Sequence, residues 1–276
     1  MRAGPSAGHA PRRLADRPPS LPCRRYQPEG FACANTLLGH SHFVGAVAAA
    51  GTGVASGSND KHVIEWDVSQ GTPMRILEGH TDVVACVRAA PSGDLLFSGS
   101  WDKTAKVWQD GQCVRTLKGH EQAVWSVLPL ADGRVLTASA DRSIKLWEGE
   151  ACVQTYTGHE DVVRDLALLP NVGFVSASND GTVRAWELGG ECLKVLRASE
   201  LFVYGVLVLE SGEWLTCAED RTVKVWDGGS GECTQSLSHP STVWGCAALP
   251  NGDVVAGCAD GNAYVWTRAP ERSCCC

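Results

Sequence analysis

The chain has 276 residues and a formal net charge of −7, with 31 acidic against 24 basic side chains. Much of the basic charge sits at the N-terminus, so the remainder is acidic and nucleic acid is not an expected main partner. No apolar run approaches the roughly 18 residues of a membrane span, and the thirteen cysteines, an odd number, show no CxxC or Cys/His zinc spacing.

Residues 1–31 carry six arginines against Asp16 and Glu29. Such a start resembles a transit peptide, but Pro5, Pro11, Pro18, Pro19, Pro22 and Pro28 would break the amphipathic helix that signal requires. A disordered basic extension is expected instead.

From residue 32 a longer period takes over. Trp66, Trp108, Trp147, Trp186, Trp226 and Trp266 lie 42, 39, 39, 40 and 40 residues apart, each six residues after an aspartate. A fixed period of this size means repeated supersecondary units that bury their apolar faces against one another. Residues 80–119 show the unit: four β-rich runs separated by Gly, Asp, Ser and Pro, the pattern of a four-stranded meander. Six such units set radially predict an all-β, six-bladed propeller over residues 32–267. The short tail, 268–276, ends in Cys274, Cys275 and Cys276 and does not fit a prenylation box, since Ser273 stands fourth from the end.

Four residues recur at matched places in the first four repeats: His40, Ser56, Asp60 and Trp66; His80, Ser98, Asp102 and Trp108; His120, Thr137, Asp141 and Trp147; His159, Ser176, Asp180 and Trp186. Ser, His and Asp together suggest a catalytic triad. Four equivalent active sites in one ring make poor sense, and the indole adds a fourth member. A chain of hydrogen bonds from Trp to hydroxyl to His to Asp, holding each blade together, accounts for all four. Ser199 replaces the fifth His and Ala256 the sixth hydroxyl, so those two blades are expected to be held less tightly. Cys113, Cys152, Cys192 and Cys233 also recur at one position and read as small buried apolar residues. No catalytic residue, metal site or cofactor is expected.

With Gly-His and Trp-Asp/Glu/Gln pairs at this spacing, the chain resembles the WD-repeat proteins. GSWDKTAKVW (99–108), GHEDVVRDLALL (158–169), GECLKV (190–195), AEDRTVKVW (218–226) and NGDVVAG (251–257) narrow the match. In this order they resemble the propeller of the phospholipase A2-activating protein family, whose yeast member acts in ubiquitin-fusion degradation. The resemblance covers about residues 33–266. It implies a non-catalytic, ubiquitin-binding propeller in cytosolic and nuclear ubiquitin turnover. That family has seven blades, whereas six repeats are present here and residues 1–32 are unlike any blade. Its C-terminal domains have no counterpart in this sequence, so the AAA unfoldase they dock is not an expected partner.

Ring closure then requires an outermost strand for the last blade. Residues 32–38, ACANTLL, match QCVRTLK and ACVQTYT at that position, so they are expected to pair with 262–267 and close a six-bladed ring. An open ring of a seven-bladed family is the alternative, and it would expose sheet faces.

Function is sought where the copies differ. Counted from the repeat His, positions +4 and +7 are apolar throughout, and their odd spacing predicts a β-bulge between them. Position +5 varies: Gly45, Ala85, Trp125, Arg164, Tyr204 and Trp244. So does the residue before the shared Asp: Asn59, Trp101, Ala140, Asn179, Glu219 and Ala259. Both positions fall at the mouth of the ring, and Trp, Tyr and Arg are the types enriched at binding hot spots. Trp101, Trp125, Arg164, Tyr204 and Trp244, with Asn179, Glu219 and Phe43, are therefore the expected contact surface for ubiquitin. The alternative is a general protein-interaction scaffold using the same face for a different protein.

Overall fold

The computed structural model describes residues 35–51 and 53–268; the readings of a basic extension over 1–31 and of a Cys-ending tail fall on residues outside these. All regular structure among the described residues is β. The first sheet is β1 (Val44–Ala50), β2 (Gly53–Ser58), β3 (Val63–Asp67) and β4 (Thr72–Leu77). The second is β5 (Val84–Ala89), β6 (Leu96–Ser100), β7 (Thr104–Gln109) and β8 (Gln112–Lys118). The third is β9 (Val124–Pro129), β10 (Val135–Ser139), β11 (Ile144–Glu148) and β12 (Ala151–Tyr156). The fourth is β13 (Val163–Leu169), β14 (Gly173–Ser178), β15 (Thr182–Glu187) and β16 (Cys192–Arg197). The fifth is β17 (Val203–Val208), β18 (Trp214–Ala218), β19 (Thr222–Trp226) and β20 (Cys233–Ser238). The sixth has three strands, β21 (Val243–Ala248), β22 (Val254–Cys258) and β23 (Ala263–Trp266).

Each sheet is an antiparallel meander in chain order, and the six stand in a ring as the blades of a propeller. The innermost strands β1, β5, β9, β13, β17 and β21 pack side by side in that order. The turns are set by sequence. Gly93, Gly133, Gly212 and Gly252 close the hairpins between the first two strands of blades 2, 3, 5 and 6 at φ of 79–86°, which only glycine adopts without strain. Apolar side chains fill the spaces between neighbouring blades. One such cluster joins Leu136, Ile144 and Tyr156 of blade 3 to Val163, Phe174 and Trp186 of blade 4. Burying side chains of this size contributes about 1.5–3 kcal/mol each.

The ring has a seam between blades 6 and 1, where no comparable packing joins β21 to β1. Val47 of β1 is 62% exposed, whereas Val87 and Val127 at the same repeat position are buried. On the other side Val265 of β23 is 62% exposed, while Val107, Leu146, Ala185 and Val225 are buried. The closure expected from residues 32–38 is not formed by the described part of that segment: 35–38 make no strand and do not pair with β23. Instead Asn35 Nδ2 donates to Val68 O (2.7 Å) and Ser69 O (3.3 Å) in blade 1. Asn35 stands five residues before the repeat His, as Gln154 does, and each lies against the outer turn of the following blade, at Gly71 and Gly190. Asn35 thus occupies the outer-strand station beside blade 1, while blade 6 has three strands among the described residues.

The recurring cysteines differ from expectation. Cys113, Cys152 and Cys233 are exposed and Cys192 is half-buried. They lie on β8, β12, β20 and β16, the outer edges of blades 2, 3, 5 and 4, where no further strand covers them.

Candidate functional site

The recurring polar residues form one continuous hydrogen-bonded chain in each of blades 1–4. His Nδ1 lies 2.7–2.8 Å from Asp Oδ2, and His Nε2 lies 2.7 Å from the Ser or Thr hydroxyl. The Trp indole N–H donates to that same hydroxyl oxygen at 2.7–2.9 Å. A carboxylate only accepts, so Nδ1 carries the proton. Nε2 then accepts from the hydroxyl, and the hydroxyl accepts from the indole. Each donor of these four chains is matched, with Ser98, Thr137 and Ser176 fully enclosed. The hydroxyls therefore tie the strands of each blade together and lie enclosed, away from the surface.

Burial pushes Asp102, Asp141 and Asp180 upward in pKa, but the bonds from His and from Thr104, Ser143 or Thr182 outweigh it. All three stay well below the usual carboxylate range. A carboxyl depressed in the folded state stabilises the fold above its unfolded pKa of about 3.9, and that stabilisation is lost as pH falls further. The thermal midpoint is therefore expected to hold above about pH 5 and to drop as pH is lowered below 4, as a calorimetric pH series would read. A midpoint unchanged down to pH 3 would count against the aspartates as the anchors.

Blades 5 and 6 replace the missing members. In blade 5, Ser199 Oγ donates to Asp220 Oδ2 (2.9 Å), Lys224 Nζ joins at 3.2 Å, and Trp226 donates to Thr216 (2.9 Å). In blade 6, Trp266 donates directly to His239 Nε2 (3.0 Å), and Asp260 accepts from Tyr264 (2.6 Å).

At the end of the ring where the innermost strands begin, called the top here, the register of every innermost strand skips one residue. The skipped residues are Gly45, Ala85, Trp125, Arg164, Tyr204 and Trp244, so the variable position is the bulged one. A bulge frees its side chain from the pleat and re-aims it. Trp101, Trp125, Arg164, Tyr204, Trp244 and Phe43 line one cavity of about 840 Å³ that opens at the top.

Within it Trp101 lies 5.6 Å from Trp125, the Arg164 guanidinium lies 4.1 Å from the Trp125 ring and 5.7 Å from Tyr204, and Tyr204 lies 4.6 Å from Trp244. One aromatic and cationic line thus crosses blades 2 to 6. Burial lowers the Arg164 pKa, without discharging a guanidinium. Asn179 is not on the open wall. Its Oδ1 accepts from Arg164 Nε at 2.9 Å and sets the plane of the guanidinium. Glu219 stands beside Tyr204, whose phenol is raised by burial and by that carboxylate. Trp101 and Trp244 remain 45% and 58% exposed.

A charged residue with no counterpart in the other blades lies beneath the mouth. Asp165, next to Arg164, turns into the channel and accepts from Ser126 Oγ (3.1 Å) in blade 3 and from the Val206 N–H (3.2 Å) in blade 5. Arg88 of blade 2 faces it at 3.7 Å. Burial raises the Asp165 pKa against the pull of Arg88. The available signal was a lone charge at a position otherwise filled by Ala46, Cys86, Ser126, Gly205 and Gly245. Among the described residues no group of three His, Cys, Asp or Glu side chains is placed to hold a metal ion.

The repeat pattern of the family described as WD domain, G-beta repeat matches residues 31–67, 71–109, 111–148, 150–187, 190–227 and 231–267. The chain belongs to the WD-repeat family. Within the WD-repeat proteins it is 40% identical over 105 residues to Phospholipase A-2-activating protein of Xenopus laevis, a stretch covering 36% of this chain and 13% of that protein. It is 38% identical over 119 residues to Nuclear distribution protein PAC1 of Arthroderma otae, covering 38% of this chain and 26% of that one. Against these curated relatives the matched stretches are thus a minor part of the relative's length. Among solved WD-repeat structures, the crystal structure of the WD40 propeller domain of Doa1 superposes with a TM-score of 0.80 at 30% identity, covering 86% of this chain and 83% of that chain. The sequence resemblance and the structural neighbour agree on an interaction propeller of the phospholipase A-2-activating protein kind.

Proposed function

We propose that the top of this propeller binds ubiquitin, and that the chain serves ubiquitin-dependent protein turnover in the cytosol and nucleus. The observation that carries the reading is the aromatic line from Trp101 to Trp244, presented on five consecutive blades around one open cavity. The homology to Phospholipase A-2-activating protein supports it. Trp125, Tyr204 and Trp244 form the centre of the contact, Trp101 and Arg164 frame it, Phe43 and Glu219 border it, and Asn179 holds Arg164 from behind. A phosphate-reading propeller would need several free arginines to fork the anion. Arg164, the one arginine among the +5 residues, is already stacked and bonded to Asn179.

The contact is expected to be weak and to bury less than about 1,200 Å². Titrating isotope-labelled ubiquitin with the full chain by NMR should shift resonances on ubiquitin's apolar face, and Trp244→Ala should abolish the shifts. No shifts, or shifts indifferent to Trp244→Ala, would overturn the reading. Loss of a different protein with the same substitution would favour the scaffold alternative.

A further inference from the structure

The fifth blade lacks its repeat His, and the loop built in that place is as well tied as those it replaces. Ser199 Oγ donates to Asp220 and accepts the Leu201 N–H at 3.0 Å. Lys224 Nζ donates to Ala198 O at 2.6 Å, and the Ala198 and Ser199 N–H groups both donate to Gly181 O. A Cβ at Gly181 would stand 2.3 Å from Ser199 O, so the loop's approach to blade 4 requires glycine there. Blades 1, 2, 3 and 5 carry Lys61, Lys103, Arg142 and Arg221 at the matching turn position, in the same left-handed conformation. The blade 4 turn is thus shaped to receive this loop.

The loop ends on two apolar side chains that stay in water, Leu201 at 48% and Phe202 at 39% exposure. Blades 2, 3, 4 and 6 place Asp82 and Val83, Gln122 and Ala123, Asp161 and Val162, and Ser241 and Thr242 at the matching positions. Phe202 meets Tyr204 edge-on at 6.3 Å, so the aromatic line branches outward to the rim at blade 5. Acidic residues border this branch. Exposed Glu121, Glu160 and Glu200 follow the repeat His or its replacement in blades 3, 4 and 5. With Asp161 and Glu219 they outnumber the exposed Arg142, Arg197 and Arg221 of the same loops and turns, and they still do once Arg197 and Glu200, paired to each other at 3.0 Å, are both set aside.

We infer that residues 198–202 form an interaction loop for a small folded protein whose apolar patch is bordered by lysines and arginines. Leu201 and Phe202 meet the patch and the acidic arc meets its basic border. The inference rests on the ubiquitin-binding reading of the top face and extends that face outward. Apolar side chains in water beside an excess of carboxylates fit such a partner by charge as well as by polarity.

The test compares full-chain variants in ubiquitin titrations, with thermal melts as the folding control. Leu201→Ser with Phe202→Ser should weaken binding by about tenfold or more, the scale of a hot-spot loss, and leave the melting midpoint unchanged. Glu160→Lys with Glu200→Lys should weaken binding at low salt and much less at high salt. Binding lost with Trp244→Ala but unchanged in the Leu201/Phe202 variant would overturn this inference and leave the top-face reading standing. Binding indifferent to all of these variants, or absent in the parent chain, would overturn both. If the double serine variant melts early, Phe202→Ser alone decides, and wild-type affinity in it counts against the loop.

Discussion

Asp141→Ala is expected to lower the unfolding free energy of this propeller by about 3 kcal/mol, the scale for stranding buried polar groups. Its two oxygens accept from His120 Nδ1 (2.7 Å), the Glu121 N–H (3.0 Å), the Ser143 N–H (2.9 Å) and the Ser143 hydroxyl (2.6 Å). His120 is enclosed, so its imidazole N–H finds no water once the carboxylate is gone. The loss passes along the chain, since His120 orients the Thr137 hydroxyl that receives the Trp147 indole. Asp260→Ala is the matched control. Asp260 holds the same repeat position but is exposed and accepts from Tyr264 and from the turn at Asn262 rather than from a buried His, so its variant should unfold near the parent midpoint. Urea titration of both variants, at equal m-value, reads the difference. Equal midpoints would mean that the polar chain is dispensable to the blades.

Arg164→Ala should weaken ubiquitin binding about 30-fold, the scale of a 2 kcal/mol hot spot. The guanidinium plane spans the gap between Trp125 and Tyr204 and is fixed through Nε by Asn179. Without it the two rings lose the spacer that holds them at the mouth. Arg164→Lys keeps the charge but neither the plane nor the Nε bond, so it should recover little of the loss. Calorimetric titration of ubiquitin into each variant measures this. Full recovery by lysine would show that charge alone matters at this position, and an intact far-ultraviolet spectrum would show that the blades persist.

Much of the fold was legible in residue spacing. The tryptophan period and the Asp six residues before each Trp located the blades and the polar chain, because the partners fall within one meander of about 30 residues. The +5 position stood out as variable, and the odd step between two apolar positions pointed to a bulge. Other features depend on neighbours 40 or more residues away. The four recurring cysteines read as buried because they are small and periodic, yet they lie on outer edges that no strand covers. Leu201 and Phe202 carry no signal in the sequence, since their exposure at the rim depends on the Ser199 loop packing on Gly181 of the preceding blade. Asp165 read only as a neighbour of Arg164, because the bulge that turns one outward turns the other into the channel.

By itself the sequence determined the all-β repeat, the number of blades and the residues that hold each blade, since these follow from local periodicity and from the pairing of polar groups within each repeat. Only the tertiary structure decided that Asp165 meets Arg88 beneath the mouth, which loop carries the aromatic line to the rim, and where residues 35–38 come to rest. Those outcomes depend on packing between blades, and a strand with the right pattern pairs only where the neighbouring blade brings an edge within reach. Asn35 is held by the turn of blade 1, and β23 keeps its place without it.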